Sequence, residues 1–98
     1  MTETLRFSAR LVEWEGPAAW WFLRVPLEHS ERILAEQEPG ARGFGSVRVE
    51  VTVGATRWRT SLFPDSASGC YLLPVKKAVR ASESLDADAE VDVSLTLL

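Results

Sequence analysis

Val47-Arg48-Val49-Glu50-Val51-Thr52-Val53, then Gly54-Ala55, then Thr56-Arg57-Trp58-Arg59, is the stretch that decides the fold. Successive side chains of a β-strand point to opposite faces. The four valines therefore share one face, and Arg48, Glu50 and Thr52 share the other. Gly54-Ala55 suits a two-residue type II′ turn, which wants glycine at its first central position. That turn sets Val53 opposite Thr56, Val51 opposite Trp58 and Glu50 opposite Arg59. An apolar pair falls on one face and an opposite-charge pair on the other, as a stable hairpin requires.

The same period runs outward from this hairpin. Leu5, Phe7, Ala9 and Leu11 alternate with Arg6, Ser8 and Arg10 within Leu5–Trp14, and Val91, Val93, Leu95 and Leu97 alternate with polar residues within Glu90–Leu97. Both segments are predicted as half-buried strands. Ala19–Val25 and Cys70–Leu73 are apolar on both faces and predict more deeply buried strands, and Thr56–Phe63 completes a set of six. Two short helices are predicted after prolines, which are tolerated at a first helical position: Leu27–Gln37 after Pro26 and Val75–Ser82 after Pro74. In the first, Leu27 and Leu34 are expected to share a buried stripe with Ser30. In the second, Val75, Ala78 and Val79 are expected inside, with Lys76, Lys77 and Arg80 outward. Pro39-Gly40 is expected to stop the first helix, and Gly43-Phe44-Gly45-Ser46 to lead into the next strand.

Both halves of the chain read strand, turn, aromatic strand, proline, short helix, strand. Their turns are Glu15-Gly16-Pro17-Ala18 and Pro64-Asp65-Ser66-Ala67-Ser68-Gly69, and matching Pro26 to Pro74 sets Val25 on Leu73, Leu27 on Val75 and Arg32 on Arg80. The expected architecture is a single mainly-β domain over residues 1–98. It is a six-stranded closed or double-split β-barrel with a pseudo-twofold repeat and two short helices. Closure also removes the open edges that strands this apolar would otherwise expose.

Composition fits such a core. Hydrophobic residues make up 46% of the chain and charged residues 26%, and four Trp, four Phe and one Tyr supply large apolar area; these are globular proportions. Cys70 is the only cysteine, so no intrachain disulfide forms. No stretch approaches the roughly 18 apolar residues of a membrane helix. The opening residues Thr2, Glu3 and Thr4 show no targeting pattern. The expectation is a cytoplasmic protein with no membrane contact.

Charge is distributed unevenly. Residues 1–41 carry four basic and seven acidic side chains, for −3; residues 42–80 carry seven basic and two acidic, for +5; residues 81–98 carry five acidic and no basic, for −5, which together give the net −3. Such asymmetry constrains partners rather than fold.

The run from Gly43 through Arg80 resembles a small bacterial family. The residues that carry the likeness are Gly43-Phe44-Gly45-Ser46-Val47-Arg48-Val49-Glu50-Val51-Thr52-Val53, Trp58-Arg59-Thr60-Ser61-Leu62-Phe63-Pro64 and Tyr71-Leu72-Leu73-Pro74-Val75-Lys76-Lys77-Ala78-Val79-Arg80. Glu13 through Trp20 and Val25-Pro26 are similar to it as well. It is the domain-of-unknown-function family numbered nineteen-oh-five. The resemblance implies a double-split β-barrel, related in shape to the swapped-hairpin barrels of some bacterial transcription regulators. It brings no established catalytic residues. Asp86-Ala87-Asp88-Ala89 departs from the family's Gly-Asp turn, which puts that local turn in doubt.

Residue by residue, little suggests catalysis. His29, the only histidine, lies among Glu28 and Glu31 with no oriented partner or nucleophile, and is taken as a solvated surface side chain. Cys70 beside Tyr71 is expected to behave as a small buried hydrophobe. Gly43-Phe44-Gly45 runs into a strand, whereas a phosphate loop runs into a helix. Asp86 and Asp88 lack the further ligands of a calcium loop. No cofactor or metal is expected. Trp21 and Trp58 sit at inward parity and are expected in the core, while Trp14 or Trp20 is expected to be exposed.

The basic residues Arg48, Arg57, Arg59, Lys76, Lys77 and Arg80 form the candidate ligand-binding set. If the strand face and second helix adjoin, they could hold a phosphate or carboxylate through forked arginine contacts. The competing account pairs Arg59 with Glu50 and sets the helix against Glu90 and Asp92. The sequence thus points to a non-enzymatic binding or interaction module for a small anion or a protein partner. The alternative is a nucleic-acid-binding regulator, by analogy of shape with the swapped-hairpin barrels.

Overall fold

The computed structural model describes residues 4–14, 16, 20–37 and 45–98. In chain order the elements are β1 (Thr4–Trp14), β2 (Trp20–Arg24), α1 (Leu27–Ala35), β3 (Val47–Val53), β4 (Thr56–Asp65), β5 (Cys70–Pro74), α2 (Lys77–Ser82) and β6 (Glu90–Leu97). The six strands close into one antiparallel barrel in the order β1-β2-β5-β4-β3-β6. Pro39-Gly40, Gly43-Phe44, Ala19 and all of the first turn but Gly16 lie outside the described residues.

The hairpin of β3 and β4 adopts the expected register, with Val53 opposite Thr56, Val51 opposite Trp58 and Glu50 opposite Arg59. Gly54 takes φ 57°, a left-handed value glycine reaches without steric cost. The apolar set fills the cylinder: Leu5, Leu11, Val49, Val51, Leu62, Val91 and Leu95 are buried in one continuous core, and Phe7 and Ala9 pack against it. Period-two patterning and barrel closure therefore agree. Among the described residues no helix is long and apolar enough to cross a membrane.

The helices differ from the expected pattern in which faces they bury. On α1, Ser30 and Ile33 are buried, whereas Leu27 is 53% and Leu34 48% exposed. At about 100° per residue, a stripe centred between Ser30 and Ile33 leaves those leucines roughly 70–90° to one side. The second helix begins at Lys77 rather than Val75, because the Val75 N–H still donates to the Trp21 carbonyl (2.9 Å), continuing the strand pairing. Ala78 is exposed and Val79 is its buried residue. Arg80 is half-buried rather than outward. His29 is half-buried too, its ring 5.9 Å from that of Phe7. The turn after α2 forms despite lacking glycine: Asp88 takes φ 68° and its N–H donates to the Leu11 carbonyl at 2.9 Å. Asp is among the few residues that tolerate this region.

The two halves are related by hydrogen-bond register. Leu23 lies opposite Leu73, flanked by Phe22 opposite Pro74 and Arg24 opposite Leu72. The Val25 N–H donates to the Tyr71 carbonyl, and the Val75 N–H to the Trp21 carbonyl, both at 2.9 Å. β2 spans 20–24 and β5 spans 70–74, and the helices begin at Leu27 and Lys77. Equivalent residues therefore stand fifty apart, not the forty-eight that matching Pro26 to Pro74 implies. The two prolines do different jobs: Pro26 caps α1, while Pro74 closes β5.

Candidate functional site

Where α2 meets the start of β2, Arg80 and Trp21 make a built contact. Arg80 Nε donates to the Val75 carbonyl at 3.3 Å, and its guanidinium carbon stands 4.4 Å from the centre of the Trp21 ring. A guanidinium over an indole face gains electrostatic attraction from the ring quadrupole. With Nε engaged by the backbone, the two terminal amino groups make no hydrogen bond among the described residues. Burial of polar and stacked atoms explains why Arg80 is half-buried despite its charge.

Beside this pair lies a cavity of about 280 Å³, bordered by Trp20, Trp21, Trp58, Arg59, Thr60 and the Pro74–Lys77 segment as well as Arg80. Each wall has a local cause. Trp21 and Trp58 lie at inward parity on β2 and β4, with Trp58 nearly sealed and Trp21 packed at the core's margin. Lys76 and Lys77 sit at the N-terminal end of α2, where Lys76 is the extended residue just before the helix. Arg59 projects from the polar face of β4.

Four of the six basic residues singled out from the sequence, Arg59, Lys76, Lys77 and Arg80, thus converge on one cavity. Arg48 and Arg57 do not join them. Arg48 Nη1 donates to Ser61 Oγ at 3.3 Å across the β3–β4 pair, and Arg57 is exposed opposite Thr52. The expected pairing of Arg59 with Glu50 is present at 3.7 Å, with the two side chains 64% and 32% exposed; an exposed pair of that length offsets little of the charge. The expected match of α2 to Glu90 and Asp92 is not made: Asp92 instead accepts a hydrogen bond from Ser8. Among the described residues, no carboxylate stands within ion-pair distance of Lys76, Lys77 or Arg80. Nor does any cluster of three His, Cys, Asp or Glu side chains that could hold a metal occur among them.

Trp21, expected only as a core residue, is the lining residue that makes direct contact with Arg80. Trp21 forms the floor under Arg80, and Trp20 stacks at 4.9 Å on Phe22. Trp14 is the exposed tryptophan, at 53%. With Trp20 matched to Cys70 by the strand bounds, Trp21 is the equivalent of Tyr71 in the other half.

A family model described as "Domain of unknown function (DUF1905)" matches residues 7–95. The chain belongs to this family. The DUF1905 match spans every residue that borders the cavity and nearly all of the barrel, so the site lies within the family's domain rather than in an appendage. The search of curated proteins finds no match.

Proposed function

We propose that this DUF1905 domain is a non-catalytic module that binds a small anion in the cavity between α2 and the start of β2. The observation that carries this is the convergence of three cations, Lys76, Lys77 and Arg80, without carboxylate partners among the described residues, on a tryptophan-floored cavity in a chain whose net charge is −3. Unpaired positive charge gathered in a concavity with low-dielectric walls focuses the field on an incoming anion. The preset guanidinium suits the planar, two-point geometry of a carboxylate or phosphate. A volume of 280 Å³ fits a small metabolite rather than a polymer. Among the described residues its polar side chains carry guanidinium, ammonium, hydroxyl and indole N–H groups, all hydrogen-bond donors suited to an anion.

Inorganic phosphate, phosphorylated metabolites and dicarboxylates, screened by thermal shift with tryptophan fluorescence as the second readout, test the proposal. At least one anion should raise the midpoint and perturb emission. The Lys76→Ala, Arg80→Ala double variant should lose both responses, while Arg48→Ala and Arg57→Ala keep them. No response to any anion, or a response that survives the double variant, would overturn it.

A further inference from the structure

We infer that the chain carries a second small-molecule site, between α1 and the β4–β5 hairpin, for a cation with an apolar body. The cavity there measures about 480 Å³, within the range of ligand pockets. Leu34, Pro64, Cys70 and Tyr71 supply apolar walls, and Glu31 and Asp65 stand among them, with no Lys, Arg or His among the described lining residues. Leu34 is half-exposed on the helix flank that faces this space.

Two independent features point to a ligand. Tyr71 is only 4% exposed, yet among the described residues its hydroxyl has no hydrogen-bond partner, and no side-chain polar atom that lacks a partner is fully sealed from solvent. The hydroxyl therefore retains an opening, and Tyr71 borders this cavity. A phenol hydroxyl that no protein group engages is both donor and acceptor for a ligand seated at that opening. The second feature is charge. Asp65 takes one hydrogen bond, from Ser68 at 2.7 Å, through one carboxylate oxygen. Its other oxygen and the exposed Glu31 remain to face a positive group. A neutral apolar ligand would use the walls alone, and an anion would be repelled by both carboxylates.

The site is also the counterpart of the anion cavity. Ser30, Cys70 and Tyr71 here correspond, fifty residues apart, to Arg80, Trp20 and Trp21 there. Each cavity lies between the helix of one half and the aromatic strand of the other, and their charges are opposite in sign. The second site stands whether or not the first binds an anion.

Phenethylammonium, 2-phenylethanol and 3-phenylpropionate share one apolar body and differ in charge, and titration of each into isotope-labelled protein followed by amide chemical shifts tests the site. Phenethylammonium should move the amides of Gly69, Cys70 and Tyr71 and bind at least about ten-fold more tightly than the other two, the factor expected of one charge-assisted contact. Glu31→Gln, on an exposed helix face, should remove several-fold of that affinity, and Tyr71→Phe should do so as well. Arg80→Ala should leave it intact. Equal binding of the alcohol or the acid, shifts centred on Trp21 in place of Gly69, or no saturable shift up to about 10 mM would overturn the inference.

Discussion

Ser30 and Arg80 occupy equivalent positions fifty residues apart and make the same backbone contact with different chemistry. Ser30 Oγ donates to the Val25 carbonyl at 3.0 Å, five residues back, and Arg80 Nε donates to the Val75 carbonyl at 3.3 Å, also five residues back. Each then reaches across the pseudo-twofold axis. Ser30 Oγ accepts from the Tyr71 N–H at 2.9 Å, and Arg80 covers the Trp21 ring. One half closes its helix onto the opposite strand with a small buried hydroxyl. The other uses a long cation, and the space it spans is the cavity beside Trp21.

This relationship predicts unequal costs. Ser30→Ala leaves the buried Tyr71 N–H without its acceptor, which costs about 1–3 kcal/mol. Arg80→Ala forfeits a half-exposed cation–π contact of about 0.5–1 kcal/mol. Urea denaturation of the two variants should rank Ser30→Ala as clearly the less stable, and a reversed order would contradict the equivalence.

The buried face of α1 makes a second contrast. Ile33 is fully buried and Leu34 is half-exposed one residue later. Ile33→Ala should cost about 2–4 kcal/mol, whereas Leu34→Ala should stay within about 0.5 kcal/mol, as surface changes do. For a domain of this size each kcal/mol lowers the melting midpoint by about 4–8 °C, so calorimetry separates the two.

Gly54 tests the hairpin turn. Any Cβ there would meet the Glu83 carboxylate, which also accepts a hydrogen bond from Thr56 Oγ1 at 2.6 Å, and the φ of 57° disfavours L-residues. Gly54→Ala should destabilise by about 1–2 kcal/mol from the left-handed backbone alone, with a further loss from displacing Glu83. Adding Glu83→Ala to Gly54→Ala should abolish that further loss. A neutral Gly54→Ala variant would exclude this turn geometry.

Tyr71 sets a pH dependence. Burial raises its phenol above the ordinary value of 10.0, since the charged form is desolvated. The unfolded chain then loses this proton at lower pH than the native one. Stability from this group is fully present below about pH 10 and is lost as pH climbs through the native value. Because the chain holds one tyrosine, phenolate absorbance follows it alone: the native midpoint should lie above that of the urea-unfolded chain. Tyr71→Phe should flatten the alkaline fall in stability to the extent that this group causes it.

Much of the barrel was legible because its strands carry their instruction locally. Val47–Val53 and Glu90–Leu97 form with the bounds their alternation implied, and Gly54-Ala55 sets the register of its hairpin. The helix faces were less legible, since a short helix has too few apolar residues to fix its rotation: Leu27, Ser30, Ile33 and Leu34 all lie within about 120° of one another at 100° per residue. Of the six basic candidates, parity along a strand could separate inner from outer faces but not say which outer residues a helix fifteen or more positions away would meet. Arg59 borders the cavity and Arg57 does not, though both share that parity.

What the sequence determined by itself is the two-sided character of the alternating strands, and one turn with its register. Tertiary structure alone decided the fifty-residue equivalence, the seating of Arg80 on Trp21 and the two cavities that follow from it. The physical reason is distance along the chain. Strand faces and tight turns are settled by neighbours a few bonds away, whereas a cavity exists only once barrel closure brings α2 against β2, and α1 against the β4–β5 hairpin.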